Sequence, residues 1–432
     1  MGASPPFRLT LTGSGSVLTP ATLYDDMKTM TGALDGIRVL DASQMLAGPI
    51  CAMRLGDLGA DVLKIEPPHG EHNRHNGFGA VRVNGATPTF VGLNRNKRSV
   101  TIDLKQPSGL AALLELVAEA DVFLQNYRVG TAERLGIGWE QLQAVNPRLV
   151  YAQISGYGEE GPWRDRPGQD LLLQAMSGSM WSVGAADDPP QPGAMWAADA
   201  MTGYQAAIGI LAALHARERT GEGQKVSVSM LGAVMDCQVQ ELATHLNSEA
   251  TFERTSEPSA HSWIPAPYGV FRTSDSWLAL AMAPMAALGE ALDEPRLGEL
   301  NGPDDGVVYR DEIHALVARR LLERTTGEWV AFFDERRLWS GPVAHYEDLV
   351  THPQVQATDM IVSVEDDAGN EVRLPAPPVR LSATPPSIRR APPRLGADTD
   401  DALREWLGWS PERIEEAHAA GTFGEEQPEE HT

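Results

Sequence analysis

Between residues 34 and 230 the chain alternates short β-branched runs with longer helical ones, and few folds accommodate that alternation. Ile37-Arg38-Val39-Leu40 reads as a strand. Gly48-Pro49 then opens a helix carrying Ile50, Met53, Leu55 and Leu58; proline suits a first turn because its missing N–H has no partner there. Gly59 stops the helix, and Val62-Leu63-Lys64-Ile65 is the next strand, closed by Pro67-Pro68. Strand, helix and strand within about thirty residues form a βαβ unit, hence a parallel pair with a right-handed crossover. The pattern recurs, with strands expected at 99–102, 122–124, 149–154 and 225–228 and helices at 109–118 and 200–216. It predicts an α/β fold around an open, doubly wound parallel sheet.

Past residue 250 the texture changes. A polar, proline-containing stretch leads into an expected hairpin at 268–271 and 277–281, then helices at 310–322 and 326–336, together a smaller α+β domain. Seven prolines between Pro375 and Leu395 predict an extended return across the surface. The expected divisions are an N-terminal extension at 1–33, the first part of a large domain at 34–230, a small domain with a linker helix at 231–350, a return to the large domain at 351–423 and an acidic tail at 424–432. The extension lacks the basic and apolar regions of a secretory signal, and Met27 or Met30 is an alternative start. The tail is expected to be disordered.

Charge removes several function classes. Lys plus Arg is 35 against 59 for Asp plus Glu, a net charge of −24, which repels nucleic acid and anionic membranes. The longest apolar stretch, 277–288, falls short of the roughly 18–20 residues that span a bilayer. Two cysteines, Cys51 and Cys237, form no CxxC pair and support neither a disulfide framework nor a zinc finger. A cytoplasmic protein without nucleic-acid or membrane partners is expected.

The local motifs divide unevenly. Gly156-Tyr-Gly-Glu-Glu-Gly161 matches a dinucleotide fingerprint, but Pro162-Trp163-Arg164 follows where a helix should begin, so a glycine-rich loop is expected. His69, His72 and His75 lack a completing ligand nearby, and a solvated polar turn is expected instead of a metal site. No G-x-S-x-G elbow is present. Lys64, Lys97 and Lys105, with Arg74, Arg95, Arg98, Arg128 and Arg134 around them, form a basic cluster suited either to phosphate recognition or to a solvated charged face. Asp199, expected just before a helix, and Asp170, before Leu171, are each explained by the preference of carboxylates for helix N-termini.

Taken in order, the blocks Leu34-Asp-Gly-Ile-Arg-Val-Leu-Asp41, Ala47-Gly-Pro49, Leu58-Gly-Ala-Asp-Val-Leu-Lys-Ile-Glu66, Asn94-Arg-Asn-Lys-Arg-Ser-Val-Thr-Ile-Asp-Leu-Lys105, Gln125-Asn-Tyr-Arg128, Ser155-Gly-Tyr-Gly158 and Thr220-Gly-Glu-Gly-Gln-Lys-Val-Ser-Val-Ser229 resemble the class III CoA-transferases. The resemblance holds from Leu34 to about Gln238 and continues more weakly toward the C-terminus. It implies CoA exchange between an acyl-CoA and a free carboxylic acid through Asp199, which matches the family's catalytic aspartate, by way of an aspartyl anhydride and an aspartyl-CoA thioester. It carries CoA contacts onto Leu46, Ala47, Ile102, Asp103, Leu104, Lys105, Asn126, Tyr127, Arg128 and Arg134, and an acyl pocket onto Gln169 and Asp170. It further implies an interlocked homodimer, a large α/β domain built from both chain ends, no metal, and no permanently bound cofactor, with CoA and acyl-CoA as substrates.

Departures from formyl-CoA transferase bear on the acid. That enzyme has Gln at the position of Leu46, Arg at the position of Pro67, and a tetraglycine lid where this chain has Ser259-Ala-His-Ser-Trp-Ile264. These differences disfavour formate and oxalate and point to a bulkier or more apolar acid. The rival within the superfamily is an α-methylacyl-CoA racemase. Its catalytic histidine falls on Gln169, which cannot carry a proton, and no histidine lies between His75 and His215. A non-catalytic CoA-binding protein is the rival from another class.

Overall fold

A computed structural model describes residues 32–76, 81–83, 85–249 and 253–424. Most of the expected extension (1–31), with Met27 and Met30, and the acidic tail from residue 425 lie outside the described residues.

The expected alternation folds as β1 (Arg38–Asp41), α1 (Ala47–Asp57), β2 (Asp61–Glu66), β3 (Lys97–Thr101), α2 (Pro107–Ala118), β4 (Val122–Gln125), β5 (Val150–Ser155), α3 (Asp170–Met176), α4 (Ala197–Thr220) and β6 (Lys225–Ser229). The six strands form one sheet in the order β3-β2-β1-β4-β5-β6, every neighbouring pair parallel. Strand order reverses between β1 and β4, and loops leaving the carboxyl ends of those strands splay apart to leave a crevice. Alternate strand residues feed two cores. Leu40, Leu63, Phe123 and Tyr151 pack on one face, while Val39, Val62, Val122, Leu124 and Ala152 pack on the other against α1 and α4.

The next elements are α5 (Met230–Cys237), β7 (Gly269–Arg272), β8 (Trp277–Leu280), α6 (Arg310–Leu321) and α7 (Thr326–Glu335). The expected hairpin is β7 with β8, and β9 (Ser340–Pro342) adds an unforeseen third antiparallel strand. Phe271, Leu278, Ile313, Val317, Trp329 and Phe333 give this sheet its own core. A second unforeseen hairpin follows, β10 (Ile361–Glu365) and β11 (Glu371–Pro375). Residues 376–398 contain no strand or helix, as the prolines predict.

Two helices not read from the sequence, α8 (Thr399–Leu407) and α9 (Pro411–Ala419), return the chain to the large sheet. Ala402, Leu403, Trp406 and Ile414 share a core with Leu40 and Leu63. This segment also covers the open edge of β3. The Ser99 amide donates to Asp398 Oδ2 at 2.9 Å, and the Thr101 amide donates to Thr399 Oγ1 at 3.2 Å. Satisfied edge amides cannot template pairing with another chain.

Buried charge ties the proline-rich return to the sheet. Arg95, 2% exposed, clasps Asp57 through two bonds of 2.9 and 2.7 Å and donates to the Pro375 carbonyl at 2.7 Å. Asn96 donates to the same carboxylate at 3.0 Å. Removing one member of such a pair strands the other without water, a loss of about 3–5 kcal/mol. Asp57→Ala is therefore expected to lower the urea midpoint by a corresponding amount, and a midpoint within 1 kcal/mol equivalent of wild type (about a quarter of that loss) would contradict the assignment.

Candidate functional site

Three loops leaving the carboxyl ends of β1, β4 and β5 wall a cleft of about 520 Å³ at the strand-order reversal. Residues 44–47 come from the β1–α1 turn, residues 126–129 follow β4, and Ser155 and Gly156 end β5. Residues 164–169 form the exposed lip, Asp199 and Met230 are the buried part of the lining, and the exposed Trp196 completes it. The lip lies against the β5 turn through a close approach of two glycines, since a Cβ on Gly168 would stand 2.5 Å from the Gly156 Cα.

Asp199 is 9% exposed and is the third residue of α4, inside the first turn and not ahead of it as the sequence suggested. Its carboxylate does not cap its own helix. That role falls to Asp170 at the start of α3, whose Oδ1 accepts the Asp199 amide at 3.2 Å. Gln174, one turn along α3 and 3% exposed, donates to Asp170 Oδ2 at 2.5 Å and to the Met195 carbonyl at 3.3 Å, while its Oε1 accepts the Gly193 amide at 2.9 Å. One glutamine thus orients the capping carboxylate and the strand of chain entering α4. The i,i+4 spacing of Asp170 and Gln174 was the available signal for it.

The first turn of α1 packs against α4 at Gly203, where a Cβ would lie 2.7 Å from the Ala47 carbonyl oxygen. This contact sets the Ala47 backbone beside Asp199 in the wall of the same cleft. Burial and the nearby Asp170 charge push the Asp199 carboxyl up to about 7, with the polar Ala47 backbone opposing them. A carboxyl poised there, with little water around it, changes between its neutral and charged forms near neutral pH.

Leu46, Ala47, Asn126, Tyr127, Arg128, Gln169 and Asp199 meet in the cleft, whereas Ile102, Asp103, Leu104, Lys105, Arg134 and Asp170 do not line it. Asp103 caps its own turn, accepting the Lys105 amide at 3.0 Å, and Ile102 is buried. Arg134 donates to the cleft residue Thr131 at 2.8 Å. The Asn126 side chain is spent on the β1–α1 turn, accepting the Gln44 amide at 2.8 Å and donating to its carbonyl at 2.7 Å. Arg164, Arg166 and Trp196 are cleft residues that the sequence reading passed over.

Both readings of the basic cluster fail for five of its members. Lys64, Lys97, Arg74, Arg95 and Arg98 are neither solvated nor available to a phosphate, being at most 8% exposed and paired with Glu71, Asp41, Glu66, Asp57 and Asp61 respectively. Spacing along the chain could not reveal this, because every partner comes from another element. Lys105, Arg128 and Arg134 remain exposed. The polar turn at 69–75 also divides. His69, His72 and His75 are exposed, as expected, but Glu71, Asn73 and Arg74 between them are buried. His75 bonds the His69 carbonyl at 2.8 Å, and among the described residues no group of His, Cys, Asp and Glu could hold a metal ion. Gly156–Gly161 is a loop whose Glu159 is bound by Lys225 and Ser227, and no helix lies between it and Asp170. No helix among the described residues is long and apolar enough to cross a membrane.

The profile of CoA-transferase family III matches residues 34–399. The chain is 34% identical to the succinyl-CoA–L-malate CoA-transferase beta subunit of Chloroflexus aurantiacus over 90% of this chain and 98% of that one. It is 32% identical to the succinyl-CoA:glutarate CoA-transferase of Mus musculus over 94% and 92%. The crystal structure of a CaiB/BaiF family protein from Brucella suis superposes with a TM-score of 0.76 at 30% identity, covering 87% of this chain and all of that one. With its cleft at the sheet's reversal point and matching relatives along nearly its whole length, the chain belongs to CoA-transferase family III and is an enzyme that transfers CoA.

Proposed function

We propose that the chain moves CoA from succinyl-CoA to a dicarboxylic acid through covalent intermediates on Asp199. The observation that carries this reading is the Asp199 carboxylate itself, buried in the lining of the cleft and set against the Ala47 backbone and the N-terminus of α4. Asp199 attacks the thioester carbonyl, the C–S bond breaks, and a mixed anhydride forms as CoA thiolate leaves. The thiolate attacks the aspartyl carbonyl, the anhydride C–O bond breaks, and the donor's acid departs, leaving an aspartyl-CoA thioester. The acceptor carboxylate attacks that thioester and frees the thiolate. The thiolate then takes the acceptor's acyl group from the second anhydride, which regenerates Asp199. Thioester energy survives only if water is kept from both intermediates.

The acid class rests on the relatives, named for succinyl-CoA with malate or glutarate. Of the two alternatives raised by the departures at Leu46 and Pro67, this favours the bulkier acid over the more apolar one. Proton shuttling of the racemase type gains no support from the cleft, whose lining contains no histidine. CoA is assigned to Leu46, Ala47, residues 102–105, Asn126, Tyr127, Arg128 and Arg134, and the acyl group to the side of Gln169 and Asp170. The division into a large domain from both chain ends and a smaller one belongs to the same reading, as does a homodimer. Exposed apolar side chains on α3, α4 and α5, including Leu171, Met176, Ile208 and Met235, make a face that a lone soluble chain seldom presents to water.

Asp199→Asn should abolish transfer while keeping the fold, and hydroxylamine should convert the acylated wild type to a hydroxamate on the Asp199 peptide; wild-type rates in Asp199→Asn would end the covalent reading. Only ionised Asp199 attacks, so kcat/KM should rise with pH through about 7 and fall tenfold per unit below it. The stability sign is the reverse. The folded state holds the Asp199 proton that the unfolded chain releases near pH 4, so stability declines as pH rises from about 4 to 7. Asp199→Asn should therefore melt above wild type at pH 8 and level with it at pH 4. Lys105→Ala and Arg128→Ala should each weaken CoA binding by about 1–3 kcal/mol, a rise in Kd of about fivefold to about 150-fold, with turnover kept at saturation. Calorimetry showing unchanged Kd in both would remove them from the site.

A further inference from the structure

The turn that delivers Ala47 to Asp199 is held by residues that no part of the reaction uses. Met45 has φ of 67°, a left-handed conformation that a side chain bearing a Cβ adopts only under constraint. Its amide donates to Glu71 Oε2 at 2.9 Å, and its carbonyl accepts from Asn73 Nδ2 at 2.6 Å. Both polar groups of that peptide unit's residue are therefore taken by the segment following β2. The clasp is itself rigid. Glu71 and Asn73 are 2% and 5% exposed. The Glu71 amide donates to Glu66 at 3.2 Å, and Thr87 donates to the Asn73 carbonyl at 2.5 Å. Arg74 beside them is locked by two bonds of 2.7 Å to Glu66. Lys64 ties in the start of the turn by donating to the Ser43 carbonyl at 3.1 Å, and the same ammonium lies 3.3 Å from Glu71.

We propose that Glu71 and Asn73 are positioning residues for CoA transfer: they hold Met45 in its left-handed turn and so set the Ala47 backbone against the Asp199 carboxylate. The proposal rests on Asp199 as the nucleophile. Neither residue touches the cleft, so their effect travels only through the turn. A displacement of an ångström at an attacking group costs rate far more than it costs stability. The Asp170 charge and the Ala47 backbone act on the Asp199 carboxylate in a cleft that Arg128, Arg164, Asp165 and Arg166 also line, and loosening the turn weakens the Ala47 contact, which favours ionisation.

The test measures Asn73→Ala, Glu71→Ala and Glu71→Gln in the full chain, with succinyl-CoA as donor and glutarate as acceptor, well below each variant's melting temperature. Asn73→Ala and Glu71→Ala are expected to lower kcat at least tenfold and to move the acid limb of kcat/KM to higher pH. Glu71→Gln keeps an oxygen for the Met45 amide and should recover most of the kcat that Glu71→Ala loses. A lower melting temperature with unchanged kcat and acid limb in Asn73→Ala would mean a structural role only and would overturn the proposal. If the alanine variants do not fold, hydrogen exchange in the wild type decides. Met45 is 43% exposed, yet its amide should exchange as slowly as those of β1; rapid exchange overturns the clasp. Hydroxylamine trapping on wild type keeps the two readings apart. No hydroxamate on the Asp199 peptide removes the nucleophile, whereas a hydroxamate with unimpaired variants removes only the positioning role.

Discussion

A carboxylate and an ammonium, both shut away from water, anchor the ground on which the site stands. Asp41 at the end of β1 accepts from Lys97 of β3 at 2.9 Å, across the intervening strand β2. The same ammonium donates to Asn94 at 2.8 Å and to the Pro49 carbonyl in the first turn of α1 at 3.1 Å. The other Asp41 oxygen accepts both the hydroxyl and the amide of Ser43, where the β1–α1 turn begins. Burial would raise the Asp41 carboxyl, but Lys97 and Lys64 outweigh it and hold it below its usual range. Burial likewise draws the Lys97 ammonium down to about 8. A buried pair is tolerable only when its remaining donors and acceptors are satisfied. Here the partners that satisfy it are two strands, a turn and a helix, so satisfying the charges also fixes where α1 starts.

The start of α1 matters because Asp199 sits between two helix N-termini. The first turn of α4 carries it, and the Ala47 backbone at the first residue of α1 reaches it. Helix N-termini favour an anion, while burial and Asp170 oppose one. The balance leaves a carboxyl that changes charge near neutrality and keeps little water. Gly203 permits this arrangement, since any side chain there would hold α1 and α4 apart and leave Asp199 without its Ala47 contact.

Legibility followed the range of the interactions. Strand alternation was plain because adjacent residues such as Val39 and Leu40 feed opposite cores. The helices α8 and α9 escaped notice, since their sequences are polar outside the few residues, such as Leu403, Trp406 and Ile414, that enter the core. Likewise, Glu71 and Asn73 sit among exposed histidines and look like a wet turn in one dimension. The buried cations looked like a phosphate site for the same reason: Arg95, Lys97 and Arg98 find their partners Asp57, Asp41 and Asp61 across the fold, in other elements.

What the sequence by itself determined is the doubly wound order of strands and helices and the family blocks. Periodicity and ordered motifs are local, and they survive without coordinates. Only the tertiary structure decided that Asp170, not Asp199, caps α4, that Gln174 ties α3 to the chain entering α4 at Gly193, and that Lys64 and Lys97 are internal. Those assignments depend on desolvation and on hydrogen bonds between elements up to dozens of residues apart. Neither quantity exists until the chain has folded and water has been excluded.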